Sequence, residues 1–208
     1  MSNQDDLEGI EKKILSTGIR VGTQVKTKFM MPFITKANPE GLYIIDIKKT
    51  IERIQVAAKF ISRMDIAKVL VCSAREYASV PVEKFCEVTS ATKMLGRFMP
   101  GTLTNPLLPY YTEPQLIFVS DPQTDAQAVI EATNAGIPVI GISNTDNVTS
   151  KLDLIIPANN RGRKSLATIY WLLAKEVLIQ KGKLKEDESL DYQIDDFETK
   201  ITEEEVIG

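Results

Sequence analysis

Four near-continuous apolar runs mark the chain, at residues 67–72, 116–120, 138–143 and 154–156. Around them lie segments whose apolar residues recur every three or four positions. Residues 48–64 place Ile51, Ile54, Ala58 and Ile61 on one side, and residues 165–180 align Leu166, Ile169, Tyr170, Leu173, Val177 and Leu178 before Gly182. Residues 81–91, with Pro81 near the start, and 124–135, stopped by Gly136, read as two further helices. Strands that are apolar on both sides need cover on both faces, which amphipathic helices supply. With right-handed crossovers the pattern predicts an α/β three-layer sandwich built on a mostly parallel, doubly wound sheet of flavodoxin or Rossmann type.

Upstream, the spacing predicts a helix over 7–17 ended by Gly18, an irregular stretch over 20–39 and a short strand over 42–47. Three regions follow: an N-terminal helix and irregular basic arm over 1–40, a single α/β domain over 41–184, and an acidic tail over 185–208. The tail carries ten acids and two bases, which predicts a disordered end. Its Leu190, Tyr192, Ile194, Phe197 and Ile201 leave room for folding against a basic protein surface. The rest of the chain is mildly basic, with 23 bases against 18 acids, and suits a polyanionic partner.

The loops after the strands, at 73–77, 120–125, 143–150 and 157–164, form the binding edge of such a sheet. No GxGxxG and no GxxxxGK[ST] follows the first strand, which reads on as SAREYAS, and this argues against an ordinary nucleotide site. A small-molecule enzyme reading would gather Asp121, Asp125 and Asp146 around Mg²⁺; against it, Asp121 and Asp125 stand where a helix begins and suit capping. The absence of histidine removes every Ser-His and Cys-His pair and every histidine metal site. Two cysteines, Cys72 and Cys86, make no disulfide framework and read as small buried hydrophobes. No apolar run is long enough to cross a bilayer and the first residues do not read as a secretory signal, so a cytoplasmic protein is expected.

The segment FMPGTLTNP, 98–106, fits neither a helix stripe nor a strand and reads as a shaped loop. Lys93 and Arg97 flank it, and Thr102, Thr104 and Asn105 offer polar contacts. Arg161, Arg163 and Lys164 lie in NNRGRKS at the start of the last long helix, where backbone N–H groups and guanidinium groups favour phosphate. Arg20, Lys26, Lys28 and Lys36 populate the arm, with Phe29 and Phe33 among them. Basic loops without a catalytic cluster fit RNA binding by backbone and shape.

Five segments in order, GLYIIDIKKT, RFMPGTLTNP, SDPQTDAQAVIEATNAGIPVIGISNTDN, DLIIPANNRGRKS and IYWLLAKEVL, resemble the universal small-ribosomal-subunit protein S-two family, which includes the laminin-receptor-like ribosomal protein. The resemblance spans about residues 18–182 and is closest to the archaeal form. The helical hairpin that bacterial members carry after GTLTN is absent, and Arg20 and Thr23 stand near where those members have histidines. The chain is also shorter than eukaryotic members with their C-terminal extension. The resemblance implies a structural, non-catalytic constituent of the small subunit, without cofactor or metal. It would bind small-subunit rRNA and neighbouring ribosomal proteins, and it would be cytoplasmic and ribosome-associated. The expected RNA-binding residues are Arg20, Lys26, Lys28, Lys93, Arg97, Thr102, Thr104, Asn105, Arg161, Arg163 and Lys164. The competing readings are the small-molecule enzyme and an interaction module acting through Tyr110, Tyr111 and the acidic tail.

Overall fold

The computed structural model describes residues 14, 16–185, 190 and 192–200. The helix expected over 7–17 therefore lies almost wholly outside the described residues. Two short strands, β1 (Ile34–Ala37) and β2 (Tyr43–Ile45), pair antiparallel beside the arm, so the strand expected at 42–47 stands apart from the main sheet. Helix α1 (Ile47–Ser62) follows, its N-cap Asp46 accepting the Lys48 N–H.

The main sheet then alternates with helices: β3 (Val69–Ser73), α2 (Ser79–Thr89), β4 (Thr92–Leu95), β5 (Leu116–Val119), α3 (Ala126–Ala135), β6 (Val139–Ser143), β7 (Leu154–Pro157) and α4 (Arg163–Gln180). All neighbours pair parallel in the order β4-β3-β5-β6-β7, a doubly wound arrangement. Every residue of β3, β5 and β6 is buried. Strand β4 has no continuous apolar run and the sequence pattern did not reveal it: it is an edge strand, half exposed.

Strand alternation sorts the core into two layers. Val69, Val71, Leu116, Phe118, Ile140 and Ile142 meet α1, α2 and α4 on one face. Leu70, Cys72, Ile117, Val119 and Val139 meet α3, Phe98 and Leu103 on the other. Phe85, Phe118 and Tyr170 close the first layer, with the Phe118 and Tyr170 rings edge to face at 5.5 Å. The Tyr170 hydroxyl reaches Ser120 Oγ at 2.6 Å, and its burial raises its pKa well above the usual phenol value. Burial likewise pushes the Cys86 thiol up to about 12, and Cys72 further; both are free thiols packed as hydrophobes.

Part of the acidic tail departs from the expected disorder. Phe197 is fully buried and Leu190 nearly so in the α2–α4 layer, and Trp171 Nε1 donates to the Tyr192 carbonyl at 2.8 Å. Apolar anchors spaced through the acids outweigh the charge here, and Lys84, over the Tyr192 ring, supplies an opposite charge. Ile201 lies outside the described residues.

Candidate nucleic-acid interface

Counted in chain order, the five strands lie 2-1-3-4-5, so the winding reverses between β3 and β5. Ligands of such sheets bind in the crevice at that point. In this chain the crevice is filled by its own side chains. Asp121, directly after β5, is fully buried and ion-pairs with Arg75 from the loop after β3, whose Nε lies 2.7 Å from Oδ2. The same carboxylate accepts the Thr124 hydroxyl at 2.8 Å, the Gln123 N–H at 3.0 Å and Asn147 Nδ2 at 3.0 Å. Asp125 accepts the Ala74 N–H at 2.8 Å. Backbone N–H groups that would meet a phosphate are thus already bound to carboxylates.

The two acids differ in charge. Burial works to raise Asp121, but hydrogen bonds from Gln123, Thr124 and Arg75, with the guanidinium charge, outweigh it and hold the carboxyl below its ordinary value. Burial raises Asp125 to about 7, and the Asp121 charge adds to the effect despite the Ala74 bond. Asp146 pairs with Arg161 instead. The three acids of the enzyme reading are each taken by different partners, and among the described residues no group of three acids, cysteines or histidines could hold a metal ion.

Beyond β5 the polar network crosses two more strand ends. Asn147 Oδ1 accepts the Asn144 N–H at 2.6 Å and Asn160 Nδ2 at 3.0 Å, while Asn160 Nδ2 also reaches the Ile142 carbonyl at 3.1 Å. The N-terminal arm lies over this network. Thr23 N–H donates to Thr145 Oγ1 at 2.9 Å, Thr27 N–H to the Thr145 carbonyl at 2.8 Å, and Asn159 N–H to the Ile19 carbonyl at 2.8 Å. Gly22 permits the approach: a Cβ there would stand 2.5 Å from Thr145 Cγ2 and 2.7 Å from the Tyr43 carbonyl.

The basic residues singled out from sequence divide in two. Arg20, Lys26, Lys28, Arg97 and Lys164 are exposed and form no ion pair among the described residues, although Lys26 lies over the Tyr43 ring. Lys93 pairs with Glu83, Arg161 with Asp146, and Arg163 lies 6.0 Å from the Tyr77 ring centroid. The 98–106 loop is more a packed element than its composition indicates. Phe98 and Leu103 enter the second core layer, and Thr102, fully buried, donates to the Met99 carbonyl at 2.6 Å. Buried Glu131 of α3 accepts the Gly101 N–H at 2.7 Å and the Leu103 N–H at 3.2 Å. Thr104 and Asn105 stay exposed, and Asn105 Oδ1 caps the Leu107 N–H at 3.1 Å.

The family model described as ribosomal protein S2 matches residues 14–107 and 109–179. The chain belongs to the ribosomal protein S2 family. It is 67% identical over 206 residues to the small ribosomal subunit protein uS2 of Nitrosopumilus maritimus, covering 99% of this chain and all of that relative. The uS2 proteins of Cenarchaeum symbiosum and Thermofilum pendens are 55% and 53% identical, over 97% and 90% of this chain and 97% and 87% of their own lengths. The S2 family match takes in the arm, the sealed crevice and nearly all of α4, and stops before the buried tail segment.

Sequence reasoning missed three parts of this S2-family edge: Arg75, Glu131 and the asparagines 144, 147 and 160. The available signal was positional. Asp121, Asn144 and Asn160 all follow ends of adjacent parallel strands, where side chains of neighbouring loops meet.

Proposed function

We propose that this chain is a structural, non-catalytic constituent of the small ribosomal subunit, working in the cytoplasm and held by small-subunit rRNA and neighbouring ribosomal proteins. The observation that carries the reading is the 67% identity, over essentially both full lengths, to a protein named for that subunit. The sealed crevice supports it, because the place where an α/β enzyme of this winding would admit a substrate is taken by Asp121, Asp125, Arg75 and Asn147. In this reading Arg20, Lys26, Lys28, Arg97 and Lys164 meet phosphates directly. Lys93, Arg161 and Arg163 do so by exchanging or sharing their present partners. Thr104 and Asn105 contact the RNA from a loop whose shape Thr102 and Glu131 maintain.

The test is sedimentation of a cell lysate at low and at high salt, with the chain followed by antibody. It is expected to travel with small subunits at low salt, because Lys and Arg contacts to phosphate weaken as salt rises. A chain found only in the free fraction at low salt would overturn the proposal.

A further inference from the structure

Of the seven phenylalanines, six are buried or half-buried, and Phe29 alone is exposed, at 58%. It does not sit on a loose segment. Thr27 to Met30 form a tight turn closed by the Met30 N–H on the Thr27 carbonyl at 3.2 Å, with Lys28 and Phe29 as its two central residues. Both ends of the turn are anchored. Thr27 gives its N–H to the Thr145 carbonyl at 2.8 Å and its hydroxyl to the Asn147 carbonyl at 3.1 Å, and the Met30 side chain is fully buried. The sealed polar network therefore serves as the footing of a turn that holds one aromatic ring and one ammonium group outward.

Packing does not account for that ring. A rigid exposed aromatic beside lysines that form no ion pair among the described residues has the chemistry of a stacking platform, in which the ring takes a base face and the ammonium an adjacent phosphate. Lys26, two residues before Lys28, stands on the same arm and is exposed, which continues the positive charge along the path of a bound strand. Val25 and Met31 on the same arm and Val148 beside its anchor are also exposed, but Lys26 and Lys28 set charge between them, whereas the core of a protein interface is depleted of charge. We propose that Phe29 is a stacking site for an unpaired nucleobase of single-stranded RNA, with Lys28 holding its phosphate. The inference rests on the RNA-binding reading above and adds to it a residue, a ligand class and a mode of contact.

Stacking tolerates any base, so an oligoadenylate RNA of about twelve nucleotides is a fair probe. Its binding to the full chain would be measured by fluorescence anisotropy for the unaltered protein, Phe29→Ala, Phe29→Leu and Phe29→Trp, with melting temperatures checking the fold. Loss of one base stack predicts about a five- to 150-fold weaker affinity for Phe29→Ala. Phe29→Leu is expected to fall equally, since it keeps apolar area without a π face. Phe29→Trp is expected to retain binding, with its indole emission quenched by the RNA. Full affinity in Phe29→Leu, affinity unchanged in Phe29→Ala, or no measurable binding by the unaltered chain would each overturn the stacking site. Sedimentation of the same variants separates this from the wider reading: subunit association by a chain that fails the RNA test leaves the ribosomal role standing and removes only the platform.

Discussion

Two rings of polar residues share the carboxyl end of the sheet, and they obey different physics. The inner ring, Asp121, Asn144, Asn147 and Asn160, is buried and, apart from Asn160 Oδ1, is bonded within the chain. The outer ring, Arg20, Lys28, Arg97 and Lys164, is exposed and without ion pairs among the described residues. A buried polar group must be satisfied or it costs stability, whereas an exposed charge costs the fold almost nothing and remains available to a partner. Depth thus separates the polar side chains that the fold uses from those left available to a partner.

The contrast is most easily broken from the inside. Asp121→Ala leaves Arg75, Thr124 and Asn147 without their acceptor, and a loss of roughly 3–5 kcal/mol in denaturant unfolding is expected. Glu131→Ala strips the acceptor from two backbone N–H groups of the 98–106 loop. A loss of roughly 2–4 kcal/mol is expected, with faster amide exchange at Gly101 and Leu103 as its local mark.

Asp125 sharpens the contrast through pH. Its folded pKa, about 7, exceeds its ordinary value of 3.8, so between these values the folded chain holds a proton that the unfolded chain releases. Its contribution is therefore fully present below about pH 4 and is lost as pH rises through 7. Asp121 has the opposite sign: its stabilisation is present above the ordinary carboxylate pKa and is lost only as pH falls through its lowered folded value. Asp125→Asn keeps an oxygen for the Ala74 N–H, and is expected to flatten the fall in stability between about pH 4 and 7. An unaltered pH profile would show Asp125 ionised in the fold.

The smallest effect on the fold and the cleanest on binding belong to the outer ring. Single alanine substitutions at Arg20, Arg97 or Lys164 are expected to change stability by less than about 0.5 kcal/mol. Each is expected to lower the slope of RNA affinity against salt by about one unit. A stability loss as large as that of the inner ring would erase the distinction.

Depth also explains what the sequence revealed. The buried strands β3, β5 and β6 and the helices α1 and α4 were legible because their apolar pattern is local. Strand β4 was not, since an edge strand with residues such as Thr92 and Lys93 carries no such pattern. The 98–106 loop read as external because only Phe98 and Leu103 are conspicuously apolar near its polar run. Its decisive partner, Glu131, lies 28 residues beyond Leu103. The arm's contacts with Thr145 span 122 residues. Hydrogen-bond partners at such separations leave no periodic trace, so Asp121 and the outer ring could be nominated from sequence while the partners of Asp121 and the network of asparagines stayed hidden.

Phe197 gives the fold a timetable. Its ring completes a core layer otherwise built from α1, α2, α4 and the strands between them, yet it follows the end of α4 at Gln180 by 17 residues. At ordinary synthesis rates of about 5–20 residues per second, Phe197 is added roughly one to three seconds after Gln180. Until this segment docks, Trp171 Nε1 lacks the Tyr192 carbonyl and the α2–α4 surface lacks the Phe197 ring. A segment made after every strand and helix of the layer is therefore its cover.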